Sequence, residues 1–360
     1  MAGARAADGV RIVTWQIHIA ATPSPSDAAR ITELVAGQAA GHLYQYPLLD
    51  RIEDGPRVRM LCAWAERSGV IGATAVARLR RMRGVGPWIA RIDRGPVVAH
   101  LDALAPLLDA FSEHLRKEGV AAVRLNPLLR KDEDGGVPDV LREAGFSAVE
   151  DDDYNVTLEV PIDFDRDGLL ASFPKGTRYS IRQGSKAGVV TDRNVGEPEI
   201  AALEALYAAM VTRKGATPRP PGFFQAIAGF LAADPSRGFI QVSRLAGEVV
   251  GSIIVTRYGP RALYTFGASK EADDGVPKMY LVQYEAMVEA RSLGCTVYDL
   301  GGFSAGVGEE GARTPAQSIN FFKTRFSKNA VAFVPCHERV LRPVLHRIVE
   351  GAKRLAKTAS

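Results

Sequence analysis

The segment GVIGATAVARLR at residues 69–80 has a counterpart half a chain later, EVVGSIIVTRYG at residues 248–259. Each segment is rich in β-branched residues and carries an early glycine, a composition typical of a sheet strand. The two glycines, Gly72 and Gly251, are 179 residues apart. We therefore expect the chain to contain a duplicated unit that begins with this strand.

The same series of elements follows both copies. A second predicted strand leads to an amphipathic helix and, past a glycine, to a third strand, at residues 101–128 in the first copy and 276–303 in the second. The apolar positions of the two helices recur at helical spacing: Leu104, Leu107, Leu108, Phe111 and Leu115, and Met279, Val282, Ala286, Ala290 and Leu293. The order β-β-α-β is typical of mixed α/β domains, in which helices cover a sheet. It resembles the GNAT type of acyltransferase fold, so we predict an α/β protein with two tandem GNAT-like domains.

The predicted boundary between these domains lies near residues 150–163, where an acidic turn changes to a strand. We place a first domain at residues 1–155 and a second at residues 156–333. Residues 334–360 have the pattern of a basic amphipathic helix, which we expect to pack back on the first domain. The apolar face of this helix is formed by Val340, Leu341, Val344, Leu345 and Ile348.

Composition narrows the class of protein. The chain has 360 residues, 46% of them hydrophobic, and a net charge of only +4. This charge is too small for a protein that covers nucleic acid non-specifically. Its three cysteines form no CxxC pair and its six histidines show no metal-ligand spacing, which predicts a reducing compartment and no metal site. We see neither a signal peptide nor an apolar stretch long enough to span a membrane, so we expect a cytoplasmic protein.

Residues 172–191, SFPKGTRYSIRQGSKAGVVT, form the most basic segment of predicted helix. Helical spacing places four cations on one face: Lys175, Arg178, Arg182 and Lys186. The first carboxylate comes only at Asp192. Since unpaired cations repel one another, a bound polyanion would explain the arrangement. A solvated basic face is the alternative, and the segment alone leaves both open.

The residues at the N-terminus of the helix in the second copy differ from those that bind coenzyme A. A pyrophosphate is usually held on a glycine-rich turn at a helix N-terminus. Here residues 274–278 supply only Gly275 and then Pro277, which suits a helix start but has no N–H to donate. This argues against coenzyme A as the acyl donor.

Residues 297–303 and 319–326 are the candidate chemical motifs. The first is a strand that ends in the pair Gly301 and Gly302, where the backbone can approach a ligand closely. The second, INFFKTRF, places Lys323 among aromatic side chains, which would partly desolvate its ammonium group and suit it to stabilise an oxyanion. A core aromatic cluster with Lys323 reaching out to water is the alternative.

Four motifs taken together resemble one family: TRYSIRQGSKAGVV at residues 177–190, LYTFGAS at 263–269, MYLVQYEAMVEARSLGCTVYDLGG at 279–302 and INFFKTRF at 319–326. In this order and spacing the sequence is similar to the FemABX family of aminoacyl-tRNA-dependent peptidyltransferases. The resemblance is strong across residues 170–335 and faint before them. It implies two GNAT-like domains and, since no long helical hairpin is evident, a compact member without the helical arm.

The resemblance also implies an activity and site residues. Such proteins move an amino acid from its tRNA ester to an amine on a peptidoglycan precursor, with aminoacyl-tRNA as co-substrate and no further cofactor. The phosphate-contacting residues of the family match Thr177 and Arg178, and its basic helix continues through Arg182 and Lys186. Its Phe-Lys pair, implicated in transition-state stabilisation, matches Phe322 and Lys323.

Other candidate roles stay open. Asp299 is a candidate for orienting the attacking amine, or a buried structural residue at a strand end. Tyr264 and Tyr280 are candidates for lining the acceptor groove, or packing residues.

One departure from the family lies near the N-terminus. Family members often have a Gln, then a Trp, then a Lys on the diphosphate, whereas this chain has Gln45 followed by leucines and by Arg51 among the carboxylates of residues 50–54. The acceptor is therefore either a peptidoglycan precursor or a small amine-bearing metabolite. The rival functions are a coenzyme A-dependent N-acyltransferase and a catalytically silent binding protein.

Overall fold

The structure is a computed structural model that describes residues 14–47, 58–81, 88–150, 155–193, 195–214, 218–270, 275–303 and 315–358. The first part of the chain forms β1 (Gln16–Ala20), α1 (Pro25–Gly37), β2 (Val58–Arg67), β3 (Val70–Arg81), β4 (Trp88–Asp93), β5 (Val97–Val98), α2 (Leu104–Lys117), β6 (Val120–Asn126), α3 (Val137–Glu143) and β7 (Ser147–Ala148).

The second part begins with β8 (Val156–Pro161), α4 (Arg166–Ser172), α5 (Lys175–Lys186), β9 (Val190–Asp192), α6 (Glu197–Lys214), α7 (Phe223–Ala233) and β10 (Gly238–Leu245). It continues through β11 (Glu248–Tyr258), β12 (Arg261–Ser269), α8 (Lys278–Ser292), β13 (Val297–Gly302), α9 (Pro315–Thr324) and β14 (Ala330–Ala332). The chain closes with β15 (His337–Val340) and α10 (Pro343–Thr358).

Two sheets organise these elements. The first has the strand order β1-β2-β3-β4-β6-β15-β7, with β5 paired to β3, and the second has the order β14-β8-β13-β12-β11-β10-β9. We call the part of the protein built on the first sheet the first lobe and the part built on the second sheet the second lobe. The exact domain boundary at residues 155 and 156 stays a prediction, although the strands change sheet between β7 and β8.

The two lobes repeat one topology, which confirms the predicted fold class. In the first lobe β3 pairs with β4 antiparallel, and β4 pairs with β6 in parallel. In the second lobe β11 pairs with β12 antiparallel, and β12 pairs with β13 in parallel. A parallel pair needs a crossover connection, and α2 and α8 supply it in the two lobes. The predicted stripe of α2 is fully buried against the first sheet, as periodic apolar spacing requires.

The C-terminal segment differs in part from its prediction. Residues 337–340 were expected within one helix but form β15, which pairs antiparallel with β6 and β7. Helix α10 begins at Pro343. Proline suits the first position of a helix because an N–H at that position would have no partner within the helix. Strand β15 and helix α10 lie on the first lobe, where Glu338 accepts a hydrogen bond of 2.6 Å from Arg124.

A shared apolar core joins the lobes. Buried residues of α1 and β2 pack with buried residues of α6, α7 and β11: Ile31, Val35, Trp64, Leu203, Phe223, Ile227 and Tyr258. A hydrophobic contact of this kind restricts motion between domains. Among the described residues no helix has both the length and the apolarity needed to cross a bilayer.

Candidate active site

Lys323 is buried in the second lobe. It is near the C-terminus of α9, and its side chain is 7% exposed. Its Nζ donates hydrogen bonds of 3.0 Å to the carbonyl oxygen of Gly301 and 2.6 Å to that of Gly302. The carbonyl oxygens of both glycines therefore accept hydrogen bonds from the lysine itself, and the close approach of a ligand to this pair stays a prediction.

A bulge in β13 presents these two carbonyls. The pairing of β13 with β8 shifts register between Asp299 and Gly302, which leaves an extra residue outside the ladder. Gly301 has a φ of +73°, a conformation that favours glycine. A Cβ added there would lie 3.1 Å from the carbonyl oxygen of Tyr264, so both the backbone conformation and the close approach select glycine.

Burial lowers the pKa of the Lys323 ammonium group. Removal from water lowers the pKa of Lys323 to about 8, and the nearby negative charge of Asp299 acts in the opposite direction. The expected desolvation of the ammonium group is confirmed. At neutral pH the group remains mostly protonated, and it offers three N–H donors, of which two go to Gly301 and Gly302.

Aromatic side chains pack between α9, the helix that carries Lys323, and α8. The ring of Phe322 meets that of Tyr280 edge to face at 5.1 Å, and Tyr280 stacks on Phe326 at 5.5 Å. Burial raises the pKa of Tyr280, and it raises the pKa of Tyr264 to about 12. All of these are packing contacts between aromatic side chains, and they join Phe322 and Phe326 to Tyr280 of α8.

Asp299 is a structural residue in this arrangement, and the hypothesis that it orients the amine is not supported. Its side chain is 1% exposed. Oδ1 accepts hydrogen bonds from the hydroxyl of Thr157 and from the backbone N–H of Gly301, and Oδ2 accepts one from Arg261. Because protein donors surround both oxygens, Asp299 holds the Gly301 turn and supplies negative charge near Lys323.

The basic segment forms a helix as predicted, with α5 spanning Lys175–Lys186, but its polar groups divide into two sets. Thr177 is fully buried and its hydroxyl donates to the carbonyl of Arg325. Nη1 of Arg178 donates to the carbonyls of Ala171 at 3.1 Å and Phe173 at 2.8 Å, at the C-terminus of α4.

The hydroxyl of Thr177 therefore ties α5 to the residue that follows α9, and phosphate contact through Thr177 stays a prediction. Lys175, Arg182 and Lys186 are exposed on the same helix. These three cations face solvent and are the part of the helix that an anion can reach.

Sequence reasoning missed three features, one beside α5 and two in the first lobe. Nη2 of Arg325 would lie 2.2 Å from a Cβ at Gly176, so this guanidinium sits directly on the first turn of α5. Its position two residues after Lys323 in INFFKTRF was the available signal. Gln45, noted only as a family match, is buried and donates to the carbonyl of Asp93 at 2.8 Å. Residues 50–54, which carried the departure from the family, lie outside the described residues.

The third missed feature is a cavity of about 500 Å³ on the first lobe, lined by side chains of β3, β4 and β6. Arginines at alternate positions 78 and 80 of one predicted strand, together with Arg91 on the next, were the signal in the sequence. Period-two spacing places side chains on one face of a strand.

The duplicated topology and the buried lysine define a class of protein, the two-lobed acyltransferases of the GNAT type. Residues 171–312 match a family described as "Acetyltransferase (GNAT) domain". A UDP-N-acetylmuramoylpentapeptide-lysine N(6)-alanyltransferase from Weissella viridescens is 24% identical over 268 residues, which cover 74% of this chain and 72% of that protein.

Solved structures agree with this relationship. A crystal structure of FemX superposes with a TM-score of 0.76 at 18% identity, covering 90% of this chain and 98% of FemX. A tandem GNAT protein from the clavulanic acid biosynthesis pathway gives a TM-score of 0.50 at 13% identity, with 91% and 99% of the chains covered. The comparisons support the predicted resemblance to the FemABX family and the assignment of the protein as an acyltransferase.

Proposed function

We propose that the protein transfers an aminoacyl group from aminoacyl-tRNA to an amine of an acceptor and forms an amide bond. The observation that carries this proposal is the buried Lys323 ammonium, held by the carbonyls of Gly301 and Gly302. A cationic donor in a dry, pre-organised position is what a developing oxyanion requires. The relative from Weissella viridescens, which by its name transfers alanine to a lysine N(6), supports the same chemistry.

The mechanism follows from the reactivity of the ester. The neutral amine attacks the ester carbonyl and a tetrahedral oxyanion forms. The C–O bond to the ribose then breaks, and the ribose oxygen leaves as a hydroxyl that takes up the proton lost by the amine. The third N–H of Lys323 donates to the oxyanion, while Gly301 and Gly302 fix the direction of the ammonium group. Phe322 limits the access of water to that point. The enzyme thus acts through positioning and electrostatic stabilisation, without a covalent intermediate.

Aminoacyl-tRNA is the proposed donor and contacts the exposed face of α5. Arg182 and Lys186 lie one helical turn apart and are exposed, so both can meet phosphates of one RNA strand. The proposed acceptor is a peptidoglycan precursor, which the name of the alanyltransferase relative favours, or a small amine-bearing metabolite. We propose the cytoplasm, where charged tRNA is found, as the location of this activity.

Transfer of labelled amino acids from a bulk charged-tRNA pool to a panel of amine acceptors tests the proposal. We expect ribonuclease-sensitive incorporation that falls sharply in Lys323→Met and persists in Lys328→Met, where an exposed lysine of the same region is changed. Acetyl transfer from acetyl-coenzyme A that is unaffected by ribonuclease would establish the rival function, a coenzyme A-dependent N-acyltransferase. The match to a GNAT acetyltransferase domain is the observation that favours this rival. Incorporation that survives without tRNA would overturn the proposal.

A further inference from the structure

Helix α5 exposes one stripe of four side chains, which we call the α5 stripe: Lys175, Tyr179, Arg182 and Lys186. Their spacing of four, three and four residues places them on one face of the helix. At about 1.5 Å per residue the stripe is about 16 Å long. The opposite face of α5 is buried and packs on α8, where a Cβ added to Gly184 would lie 3.3 Å from the carbonyl oxygen of Pro277.

The cations of the α5 stripe are unpaired in the part of the chain that the structure describes, since no carboxylate there forms an ion pair with any of the three. Exposed arginines of other helices are paired within their own helix, Arg116 with Glu113 on α2 and Arg142 with Asp139 on α3. The first turn of α5 contains no acidic residue, so Lys175 also lies at the positive end of the helix dipole. A bound polyanion would offset the repulsion along this stripe.

Tyr179 stands between these charges. It is 63% exposed, more than any other aromatic residue in the described ranges. Within those ranges its ring makes no aromatic contact and its hydroxyl makes no hydrogen bond. The packing of the fold therefore does not use this ring, and the ring is available to a partner.

This combination is typical of surfaces that bind single-stranded nucleic acid. Cations follow the phosphates, and an aromatic ring stacks on a base, which every base allows because each has a π-face. A duplex keeps its bases paired and stacked, so it can meet the cations but not the ring. The α5 stripe therefore favours unpaired nucleotides.

One end of the α5 stripe lies against the helix that carries Lys323. The hydroxyl of Thr177 donates to the carbonyl of Arg325, and the guanidinium of Arg325 lies over Gly176. Cζ of Arg325 is 5.7 Å from the ring centroid of Phe321, a second exposed aromatic side chain, on α9. An RNA strand bound along the stripe therefore reaches the end of α9, where Lys323 lies two residues before Arg325.

We propose that the α5 stripe binds the unpaired 3′ end of the tRNA donor, with the ring of Tyr179 stacked on a base and the three cations on neighbouring phosphates. The inference rests on the proposed function, since it names the part of the donor that α5 holds. The amino acid is attached to the same 3′ end, so unpaired nucleotides held beside α9 position the ester for reaction.

Filter binding with the full-length protein and two forms of one tRNA tests this inference without a transfer assay. One form is the intact, uncharged tRNA, and the other lacks its unpaired 3′ nucleotides. We expect Tyr179→Leu to weaken binding of the intact tRNA at least about fivefold, the lower limit for the loss of one stacked base. The truncated tRNA should bind the wild type more weakly, and Tyr179→Leu should then have no further effect.

Two further variants separate the ring from the rest of the surface. Tyr179→Phe keeps the ring and should bind the intact tRNA within about twofold of the wild type. Phe164→Leu, which removes an exposed ring outside α5, is the matched control and should leave both affinities unchanged. Salt titration distinguishes stacking from charge, because Tyr179→Leu should keep the slope of the wild type whereas Lys186→Gln should make it shallower.

Three results would overturn the inference while the proposed function stands. The first is an affinity for intact tRNA that Tyr179→Leu leaves unchanged. The second is an equal loss with the intact and the truncated tRNA, which would place the contact elsewhere on the RNA. The third is polyglutamate that competes as well as a single-stranded RNA oligonucleotide, which would make the stripe a general surface for anions. Absence of tRNA binding to the wild type at low salt would contradict the proposed donor itself.

Discussion

Arg261 and Asp299 form an ion pair of 2.8 Å in which the two side chains are 7% and 1% exposed. Nη2 of the same arginine donates to the carbonyl of Gly41, in the first lobe, at 2.8 Å. Asp299 in turn holds the backbone N–H of Gly301, whose carbonyl receives Lys323. The contact between the lobes and the environment of the buried lysine thus share one pair of charges.

Breaking this pair should be costly for stability. We expect Asp299→Asn to lower the free energy of unfolding by about 3–5 kcal/mol, because it leaves the buried guanidinium of Arg261 without its counter-charge. Urea denaturation followed by circular dichroism measures the change. Glu113→Gln, which breaks the exposed pair with Arg116, is the control and should leave the free energy of unfolding nearly unchanged. Equal effects in the two variants would contradict the structural role of Asp299.

Lys323 should carry a large part of the rate. We expect Lys323→Met to lower the single-turnover transfer rate about 10²–10³-fold, the usual cost of losing one oxyanion donor, with little change in the affinity for tRNA. Rapid-quench measurement with a saturating acceptor gives the rate. Lys328→Met should behave as the wild type. A loss confined to tRNA affinity would show that Lys323 binds the donor and does not stabilise the transition state.

The pH dependence of the rate follows from the same group. Since burial lowers the pKa of Lys323 to about 8, the protonated donor is lost as the pH rises through that value. We expect the single-turnover rate at saturating substrates to decline on the alkaline side with an apparent pKa near 8. A rate that keeps rising up to pH 10 would argue that the ammonium form is not required.

Stability should depend on pH with a definite sign. The folded pKa of Lys323, about 8, lies below the ordinary value of 10.5, so between these values the unfolded chain binds more protons than the folded chain. The free energy of unfolding that Lys323 contributes therefore rises with pH across this window and is constant outside it. Denaturation of the wild type and of Lys323→Met at pH 7.5 and at pH 10 measures this contribution as the difference between the two proteins in how the free energy of unfolding changes with pH. Parallel pH profiles for the two proteins would contradict the depressed pKa.

Two arginines of α5 should separate stability from RNA binding. Arg178→Gln removes the hydrogen bonds to the carbonyls of Ala171 and Phe173, and we expect it to lower the free energy of unfolding by about 1 kcal/mol. Arg182→Gln changes an exposed side chain and should leave stability within about 0.5 kcal/mol. Its effect should appear in filter binding of tRNA, as weaker affinity with a shallower salt dependence. Unchanged tRNA binding in Arg182→Gln would remove α5 from the proposed interface.

Much of the architecture was predictable because it depends on local periodicity. The repeated strand at residues 69–80 and 248–259, the apolar stripe of α2 and the helix that carries Arg182 all follow from spacing of two or three to four residues. The burial of Lys323 was expected from the aromatic residues next to it in the sequence, although its printed hydrogen bonds are to the distant Gly301 and Gly302. Such patterns depend only on residues that are close together in the sequence, so a short segment is enough to predict them.

Contacts between distant segments were decided only by the tertiary structure. Asp299 became a structural residue because Arg261 and Thr157 reach it across the sheet, and Thr177 became buried because α5 packs on the carbonyl of Arg325. The row formed by Arg78, Arg91 and Arg124 exists only once three strands are in register. The sequence by itself determined the elements, the duplication and the chemical character of Lys323. Strand register and long-range packing, to which residues far apart in the chain contribute, determined which charges meet.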